Sequence, residues 1–241
     1  MIIGISGVAA AGKDTLADML VERGKYVKVA LADPIKRMVR DAFAFSWTQL
    51  WGPSAGRDAP DERYPRERHV WSHGVCACCG ARCPVDVAPT DFDQQCYLTP
   101  RYALQTLGTE WGRHAYQNVW VDYLIRTAEK LSKEGGYNYS SSSQDGLSHD
   151  WRPGDDNWHY DVVVPDVRFQ NEIDALRKAG AYLIRIVRPG AGIGGAHTSE
   201  TEQTKIPNGA FDMVVDNSGT LEDLKICAAQ IVEGLALPRG S

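Results

Sequence analysis

The sequence predicts an α/β fold: a parallel sheet of about five strands with helices on both faces. Three observations predict it. Five short runs rich in Val and Ile are bounded by turn residues, as buried parallel strands are. Segments with apolar residues at helical spacing alternate with these runs, which favours right-handed βαβ crossovers. A glycine-rich loop follows the first run and opens the first helix, the arrangement of a phosphate-binding loop.

The first strand is predicted over residues 2–6, and the loop after it reads Gly-Val-Ala-Ala-Ala-Gly-Lys-Asp-Thr over residues 7–15. This is the P-loop pattern, in which glycines let backbone N–H groups point inward and a lysine supplies a mobile cation. The helix that follows presents its positive N-terminal end. The residues predicted to bind a phosphate chain are Gly7, Ala10, Ala11, Gly12, Lys13, Asp14 and Thr15.

The residue after Lys13 departs from the common pattern, in which a Ser or Thr hydroxyl ligates Mg²⁺. Asp14 stands there, followed by Thr15. Asp14 either holds the magnesium, directly or through water, or serves as a first-turn acidic residue at the helix N-terminus. Thr15 can bond a phosphate oxygen. We predict a magnesium site near Asp14 and Thr15.

The second strand is predicted over residues 26–31, and a helix follows it. Pro34 suits the first turn of that helix, and Asp33 is predicted to be its N-cap. Asp33 and Lys36 are also candidates for binding a second, phosphate-bearing substrate. The alternative for Lys36 is a solvated helix face.

Residues 53–100 are rich in Pro, Asp, Arg and Cys and show no sustained periodicity, so they are predicted to be an insertion on the acceptor side. Cys76 and Cys79, followed by Gly80, have the spacing of a knuckle that presents two thiolates to one tetrahedral ion. We predict a structural zinc, because it would order a segment that lacks a core of its own. The alternative is a reduced, metal-free loop. The predicted ligands are Cys76, Cys79, Cys83 and Cys96, with His69 or His73 as alternates.

Residues 98–113 are predicted to form a short helix, a glycine turn at Gly108 and an aromatic position. Thr99 is the predicted N-cap, with Pro100 at the first helical position. Trp111 alone would more often belong to a core. The residues predicted to hold a monophosphate and its base are Arg101, Gln105, Trp111 and Arg113.

The third strand is predicted over residues 160–165, after a helix around residues 120–131 and a flexible Ser- and Gly-rich loop over residues 134–158. Asp166 follows this strand, at the edge where parallel sheets bind ligands. It is predicted to act on Mg²⁺ or a substrate, and Arg168 is predicted to stabilise a phosphoryl group in transfer. Alternatively, Asp166 caps the next helix and Arg168 lies on the surface.

The fourth strand is predicted over residues 182–187, the fifth over 212–216, and a closing helix over 221–235. Arg185 and Arg188 flank a Gly-rich segment, and residues 188–206 are predicted to be a lid that closes over the bound phosphates and excludes water. The alternative is a flexible loop with solvated arginines.

The composition limits the function classes. The chain has 241 residues, a formal net charge of −5 and 43% hydrophobic residues, so one domain over residues 1–241 is predicted. The acidic balance argues against a general nucleic-acid binder. No apolar run approaches the length of a membrane span, and the P-loop stands where a signal peptide would lie. We predict a cytoplasmic protein with small-molecule substrates and no membrane partner.

With these motifs placed, the chain resembles the bacteriophage-type deoxynucleoside monophosphate kinases, members of the P-loop nucleoside monophosphate kinase superfamily. The Gly-Lys-Asp-Thr ending of the P-loop is part of the resemblance, and so is Asp-Val-Arg-Phe-Gln-Asn-Glu at residues 166–172. The matching stretches, in order along the chain, are residues 7–15, 32–36, 49–52, 99–113, 166–172, 197–200 and 215–221. The Cys-rich stretch and the Ser-rich loop look like additions to this pattern.

The resemblance implies an ATP donor with Mg²⁺, a deoxynucleoside monophosphate (dNMP) acceptor and the host cytoplasm if the gene is phage-encoded. It also leaves a homodimer open. The predicted reaction transfers the γ-phosphoryl group of ATP to the dNMP. The residues predicted to carry out or assist that transfer are Lys13, Asp166, Arg168, Arg185 and Arg188. Asp166 is predicted to act through the metal and not as a general base, since an acceptor phosphate needs no strong base.

Two alternatives belong to other function classes. One is a P-loop kinase of another small phosphorylated or alcohol substrate, of the dephospho-coenzyme A or phosphomevalonate kinase type. The other is a nucleic-acid-binding module that uses the zinc knuckle, and the net charge of −5 counts against it.

Overall fold

A computed structural model describes residues 1–23, 26–72, 74–83, 94–134, 160–192, 203 and 205–236. The described chain divides into two compact units. The sheet unit takes in the described parts of residues 1–31, 118–134 and 160–236. The cysteine unit takes in the described parts of residues 32–117. The predicted flexible loop lies outside the described residues except for its first residue, and most of the predicted lid also lies outside them.

The sheet unit contains five strands and four helices among its described residues. The strands are β1 (Ile2–Ser6), β2 (Tyr26–Lys28), β7 (Asp161–Val167), β8 (Tyr182–Val187) and β9 (Met213–Asp216), numbered along the whole chain. The helices are α1 (Lys13–Arg23), α6 (Val119–Glu134), α7 (Gln170–Lys178) and α8 (Leu221–Ala236), with a 3₁₀ turn at Asn208–Ala210.

The five strands form one parallel sheet in the order β2-β7-β1-β8-β9. Ile3 of the central strand β1 pairs with Val163 of β7 on one side and with Tyr182 of β8 on the other. The predicted parallel sheet of about five strands is therefore confirmed. Strand β2 is shorter than predicted, ending at Lys28, although Val29 still donates its N–H to the carbonyl oxygen of Val163 at 3.0 Å.

Helices cover both faces of the sheet, as its uniformly buried central strand requires. Ile3 and Ile5 of β1 belong to the core cluster that includes Leu16 and Leu20 of α1 and Ile231 of α8. On the opposite face, α7 packs on β1 and β8, and α6 packs on β7. Gly4 provides the room there, because a Cβ atom at Gly4 would lie 2.8 Å from Leu183 Cδ2 and 3.4 Å from Leu176 Cδ1.

The cysteine unit is mostly helical, with two small antiparallel sheets. Its helices are α2 (Asp33–Phe43), α3 (Trp47–Leu50), α4 (Ser54–Asp58) and α5 (Pro100–Gln105), and α5 continues into a π-helix, Thr106–Arg113. Strands β3 (Asp61–Arg66) and β6 (Cys96–Leu98) form one ribbon, and β4 (Trp71–Ser72) and β5 (Val75–Cys76) form the other. Phe45, Leu50 and Leu98 lie in its main apolar cluster.

Two local predictions in this unit have opposite outcomes. Thr99 is the N-cap of α5, and its hydroxyl accepts from the N–H of Tyr102 at 3.2 Å, with Pro100 first in the helix, as predicted. The glycine turn predicted at Gly108 is wrong, because the chain stays helical there. A Cβ atom at Gly108 would lie 2.9 Å from Ile35 Cδ1, so this glycine permits close packing on α2. In the described part of the chain, no helix is long and apolar enough to cross a membrane.

Candidate phosphate-binding site and cysteine cluster

The loop after β1 has a backbone that its glycines make possible. Ala10 has φ 61° and Gly12 has φ 100°, so the chain turns through the left-handed region twice in three residues. A Cβ atom at Gly7 would lie 2.5 Å from the carbonyl oxygen of Ile186, and one at Gly12 would lie 2.5 Å from Asn217 Nδ2. The tight curl predicted for residues 7–12 is therefore built into the packing around it.

Lys13 is the first residue of α1, and its ammonium points back into the loop. The side chain is 8% exposed, and Nζ donates to the carbonyl oxygen of Val8 at 2.8 Å. A buried cation held by the loop's own backbone lies close to where an anion would bind at the helix N-terminus. Ala11 is fully buried, whereas Asp14 and Thr15 are exposed in the first turn. A carboxylate and a hydroxyl there are the oxygen ligands that Mg²⁺ prefers.

Asn217, directly after β9, ties the loop to the sheet. Its side-chain amide donates to the carbonyl oxygen of Ala11 at 2.9 Å, and its backbone N–H donates to the carbonyl oxygen of Val187 at 2.8 Å. The side chain is 7% exposed, so it fills a buried polar position. No role for Asn217 was predicted from the sequence. The one indication there is its position, an amide directly after a strand that ends at the ligand edge.

Asp166 is the penultimate residue of β7, and its carboxylate accepts from the backbone N–H of Leu31 at 2.8 Å. It does not cap α7, whose N-cap is Phe169. Glu172 does that work, since its carboxylate is 2% exposed and accepts from the N–H groups of Arg168 and Phe169 at 2.8 and 3.1 Å. The turn that carries half-buried Arg168 is thus fixed by a buried carboxylate, which the sequence reasoning left without a role.

The two arginines flanking the predicted lid differ in their surroundings. Arg185 is half-buried in β8; its guanidinium donates to the carbonyl oxygens of Ile206 and, at 2.9 Å, Gln203, and lies 5.3 Å from the ring centre of Phe211. Burial lowers the pKa of this guanidinium. Arg188 is exposed beyond the end of β8. Arg185 therefore anchors the backbone at Gln203 and Ile206.

The start of the predicted lid touches the P-loop. The N–H of Gly192 donates to the carbonyl oxygen of Ala9 at 3.1 Å, and Gly192 lies close enough to Val8 that a Cβ atom there would stand 3.1 Å from Val8 Cβ. The loop, Asp166, Arg188 and Asn217 all lie at the ends of parallel strands, at the edge where α/β sheets bind ligands. Residues 193–202 and 204 lie outside the described residues.

In the cysteine unit, the prediction that Asp33 caps α2 is wrong. The N-cap position is Ala32, and Asp33 is the first helical residue. The Asp33 carboxylate is nearly buried and accepts from the indole N–H of Trp51 at 3.3 Å. Lys36 Nζ lies 3.9 Å from Asp33 Oδ1 and 5.5 Å from the ring centre of Trp51. The two predicted substrate residues Asp33 and Lys36 are thus brought together around an indole.

The four other predicted substrate residues follow one another along the helical segment formed by α5 and the π-helix: Arg101, Gln105, Trp111 and Arg113. Arg101 is paired with Asp58, and its Nη2 donates to Ser54 Oγ at 2.6 Å; this guanidinium lowers the pKa of the Asp58 carboxyl. Gln105 is half-buried at the end of α5. Trp111 is 55% exposed, so it is not a core residue. Arg113 Nη1 lies 3.4 Å from Thr109 Oγ1. π-Helical segments occur frequently at functional sites.

Four potential metal ligands come together around the β4–β5 ribbon. The ligand atoms of His69, Cys76, Cys79 and Cys96 all lie within 4.8 Å of one another. Among the described residues this group includes His69, a predicted alternate, and does not include the predicted Cys83. His73, the other alternate, lies outside the described residues.

A third buried thiol, that of Cys78, lies beside this group. Its Sγ is 2.9 Å from the Sγ atoms of both Cys76 and Cys96. Burial raises the pKa of the Cys96 thiol. Burial also opposes ionisation of Cys76, but hydrogen bonds, the strongest of them with Cys78, outweigh it and lower its pKa to about 6. Sulfur and imidazole donors at these separations suit a zinc-type ion.

Comparison with known proteins gives consistent matches. Residues 1–70 and 151–227 match the family model described as deoxynucleotide monophosphate kinase. A deoxynucleotide monophosphate kinase of Enterobacteria phage T4 is 25% identical over 251 residues, covering 92% of this chain and 95% of the phage protein. One of Escherichia phage RB69 is 26% identical, covering 92% and 96%.

A protein of Acanthamoeba polyphaga mimivirus, provisionally named for the same activity, is 29% identical over 224 residues, 92% of this chain and 91% of its own length. The matched residues of the family model include the P-loop, Asp166, Glu172 and Asn217. The cysteines from Cys76 to Cys96 lie outside them.

Proposed function

This chain belongs to the deoxynucleotide monophosphate kinase family, and we propose on that premise how its residues serve the reaction. It is a kinase that transfers a phosphoryl group to a deoxynucleoside monophosphate. The observation that carries this conclusion is the family match, which includes both the curled loop around Lys13 and the Asp166–Glu172 turn. Neither the small-molecule kinase of another type nor the nucleic-acid-binding module is favoured by these relatives.

We propose that the fold is that of the P-loop kinases and that ATP is the donor. Backbone N–H groups of the loop at residues 7–12 and the Lys13 ammonium bind its β- and γ-phosphates. The hydrogen bond from Lys13 to the Val8 carbonyl supports this role, because it holds the cation at the loop until a phosphate oxygen replaces the carbonyl. Asn217 keeps the loop carbonyl of Ala11 turned away from the anion.

Asp14, Thr15 and Asp166 are proposed to hold Mg²⁺, directly or through water. When bound, the ion neutralises charge on the phosphate oxygens and fixes their geometry. Asp14 and Thr15 are exposed in the first turn of α1, and Asp166 lies at the end of β7, so each offers oxygen atoms at the ligand edge of the sheet. No proton transfer is assigned to Asp166, because the acceptor oxygen is already anionic.

Charge that develops on the transferred group is proposed to be balanced by Arg168 and Arg188. Arg168 is held in place by the Glu172 turn, and Arg188 is exposed beyond β8. Arg185, the other predicted cation, is proposed to act indirectly, since its guanidinium donates to the backbone carbonyls of Gln203 and Ile206. In this proposal Arg185 anchors the chain, and Arg168 and Arg188 act on the ligand.

The acceptor dNMP is proposed to bind through residues of the cysteine unit. Lys36 and Arg101 supply positive charge for its phosphate, and Gln105 supplies an amide for hydrogen bonding. Exposed Trp111 offers a ring on which a base can stack. The full proposed acceptor set is Asp33, Lys36, Arg101, Gln105, Trp111 and Arg113.

The Cys/His cluster is proposed to bind a structural Zn²⁺, because three sulfur donors and an imidazole nitrogen suit that ion. The protein is proposed to act on small nucleotides in the cytoplasm of the host cell, as the phage origin of its relatives suggests. The homodimer and the division into one kinase domain with an insertion and a lid stay predictions.

The test is an acceptor panel. Purified protein is incubated with ATP and Mg²⁺ and, separately, each dNMP, each ribonucleoside monophosphate, dephospho-coenzyme A and phosphomevalonate, and the products are resolved by chromatography. We expect a diphosphate product from one or more dNMPs at a kcat/KM at least about tenfold above any other acceptor, since a site built for one sugar leaves polar groups unpaired with another. Preferential phosphorylation of a non-nucleotide would contradict the proposal and support the first alternative.

A further inference from the structure

We propose that a zinc ion bound by His69, Cys76, Cys79 and Cys96 fixes the start of helix α5 and thereby tunes affinity for the acceptor nucleotide. The inference rests on the proposed kinase function and adds to it a metal site with a positioning role. The family match stops at residue 70 and resumes at residue 151, so the cysteines lie in a part of the chain that the family pattern does not describe.

Two of the separations among the four ligand atoms match the edges of a tetrahedral zinc site, and the others lie within 4.8 Å. Zn–S bonds of about 2.3 Å and Zn–N bonds of about 2.0 Å give tetrahedral edges of about 3.8 Å between two sulfurs and about 3.5 Å between sulfur and nitrogen. Cys76 Sγ and Cys96 Sγ are 3.9 Å apart, and Cys79 Sγ lies 3.5 Å from His69 Nδ1. Both pairs therefore stand at ligating distance before any ion binds.

His69 is oriented for this role by its other nitrogen. Nε2 lies 2.7 Å from the carbonyl oxygen of Gln94, which can only accept, so Nε2 carries the proton. Nδ1 is left with its lone pair facing Cys79. The ring also stacks on Trp71 with centroids 4.6 Å apart. A backbone carbonyl that fixes the tautomer of a histidine is the usual support of a zinc ligand.

Cys78 is excluded from the ligand set by the same geometry. Its Sγ lies 2.9 Å from the Sγ atoms of Cys76 and Cys96, well below the edge of about 3.8 Å that two thiolates need on one zinc ion. The spacing Cys76-x-x-Cys79-Gly80 independently selects Cys79, and Gly80 has the positive φ of 75° that such a turn requires. Cys78 acts instead through its backbone.

That backbone links the metal site to α5. The carbonyl oxygen of Cys78 accepts from the N–H of Thr99 at 3.1 Å, and Thr99 is the N-cap of α5. Tyr102, in the first turn of α5, packs against the cysteine cluster, and the Arg66 guanidinium lies 4.8 Å from its ring centre. Cys96 itself lies only four residues before Pro100. The cysteine cluster is thus connected to the start of α5 by a hydrogen bond to the N-cap residue, by the packing of Tyr102 and by a short length of chain.

A change at the start of α5 affects the residues proposed to bind the acceptor nucleotide. Arg101 and Gln105 lie on α5, so a displaced helix start moves them, whereas the residues proposed to bind ATP all belong to the sheet unit. Among the described residues, three cysteines form the buried core of this cluster, and partly buried side chains such as Trp71 and Tyr102 pack against it. A core this small gains much of its order from a bound metal. Zinc loss is therefore expected to raise KM for the dNMP and to leave KM for ATP unchanged.

The experiment compares ligand and non-ligand variants of the full chain purified without added metal. Zinc content is measured by elemental analysis, and Co²⁺ substitution reports the number of thiolates from its charge-transfer absorption. Cys76→Ser, Cys96→Ser and His69→Ala are the ligand variants, and Cys78→Ser and Cys83→Ser are the matched controls. His69→Cys tests rescue by a conservative ligand. ATP binding of each variant, followed by calorimetry, shows that the sheet unit is folded.

We expect about one zinc per chain in the wild type, Cys78→Ser, Cys83→Ser and His69→Cys, and a spectrum of three thiolates in the Co²⁺ form of the wild type. The ligand variants should lose zinc and raise KM for the dNMP about tenfold or more, with KM for ATP within about twofold. His69→Cys should restore the dNMP KM.

Zinc retained in Cys76→Ser, or lost in Cys78→Ser, would overturn the ligand set. Zinc loss that changes neither KM, or both equally, would overturn the positioning role. A zinc-loaded wild type that phosphorylates no dNMP would instead overturn the proposed function, and the positioning role with it, while the zinc contents would still decide the ligand set.

Discussion

The side-chain amide of Asn217 holds the P-loop from the far edge of the sheet. It satisfies the carbonyl oxygen of Ala11, which would otherwise be buried without a partner, in a loop where the N–H of Ala11 donates to the carbonyl oxygen of Val8 at 3.2 Å. The same side chain lies against Gly12, where a Cβ atom would approach its Nδ2 to 2.5 Å. One amide therefore supports the loop both by a hydrogen bond and by packing.

Replacing Asn217 by alanine should weaken ATP binding more than dNMP binding. The change leaves the Ala11 carbonyl unsatisfied and should cost about 1–3 kcal/mol of stability. Calorimetry should show a Kd for ATP raised about two- to twelvefold if half of that cost falls on the bound state. Ser218→Ala, a change at the exposed neighbour, is the control and should behave as the wild type. An unchanged Kd for ATP in Asn217→Ala would refute the role.

Asp61 gives the cysteine unit an acid-sensitive contact. Its nearly buried carboxylate accepts from Arg63 Nη2 at 2.7 Å and from Gln49 Nε2 at 2.9 Å, and these hydrogen bonds hold its pKa well below the usual range for aspartate. A depressed folded-state pKa stabilises the protein above the unfolded-state value of about 3.9, and that contribution is lost as pH falls below it.

Asp61→Asn should therefore lower the free energy of unfolding by about 1–2 kcal/mol at pH 7, because Arg63 is half exposed and solvent screens part of the interaction. The difference from the wild type should shrink steadily between about pH 4 and pH 2. Urea unfolding followed across this range measures it. Glu62→Gln, at the exposed next residue, should show no such convergence. A difference independent of pH would show that ionisation of Asp61 is not the cause.

Among the elements, the strands and the P-loop were predictable, whereas the course of residues 98–113 was not. Runs of Val and Ile predict buried strands, and Thr99 before Pro100 predicts the start of a helix. The local sequence around Gly108 predicts a turn, but in the structure Gly108 permits close packing on Ile35, more than 70 residues away in sequence. The local sequence likewise predicts that Asp33 is a helix N-cap, whereas in the structure its carboxylate accepts from the indole N–H of Trp51. Contacts of this kind depend on the folded chain and leave no local pattern.

The loop between β1 and α1 supplies a prediction at the scale of an element. Gly7→Ala places a methyl group 2.5 Å from the carbonyl oxygen of Ile186, a backbone atom that cannot move aside, and should cost about 1–3 kcal/mol and abolish measurable ATP binding. Gly209→Ala is the control, because nothing lies within 4 Å of a Cβ atom there. Urea midpoints and calorimetric titration measure both. Equal effects of the two changes would contradict the packing account.

For the whole molecule, the sequence predicted the sheet, the tight turn of residues 7–12 and the family, because each rests on local pattern and order along the chain. Phosphate binding by that turn stays a prediction. It predicted a cluster of potential metal ligands but not its membership, since His69 and Cys83 were both candidates and only the fold brings His69 to Cys79. It also missed Asn217 and Glu172, whose roles depend on partners from other strands and turns. The residues that the sequence did not predict are therefore those that hold the loop and the turn in place.

The most direct measurement of the central claim follows the γ-phosphoryl group itself. ATP labelled at the γ-phosphate is incubated with the protein, Mg²⁺ and the preferred dNMP, and the label is located after chromatography. Lys13→Ala is compared with Lys225→Ala, which removes an exposed lysine paired with Glu222. We predict label in the deoxynucleoside diphosphate for the wild type and Lys225→Ala, and a loss of kcat of about 10²–10³-fold in Lys13→Ala. Label found only in inorganic phosphate, or a Lys13→Ala rate equal to that of Lys225→Ala, would contradict the account.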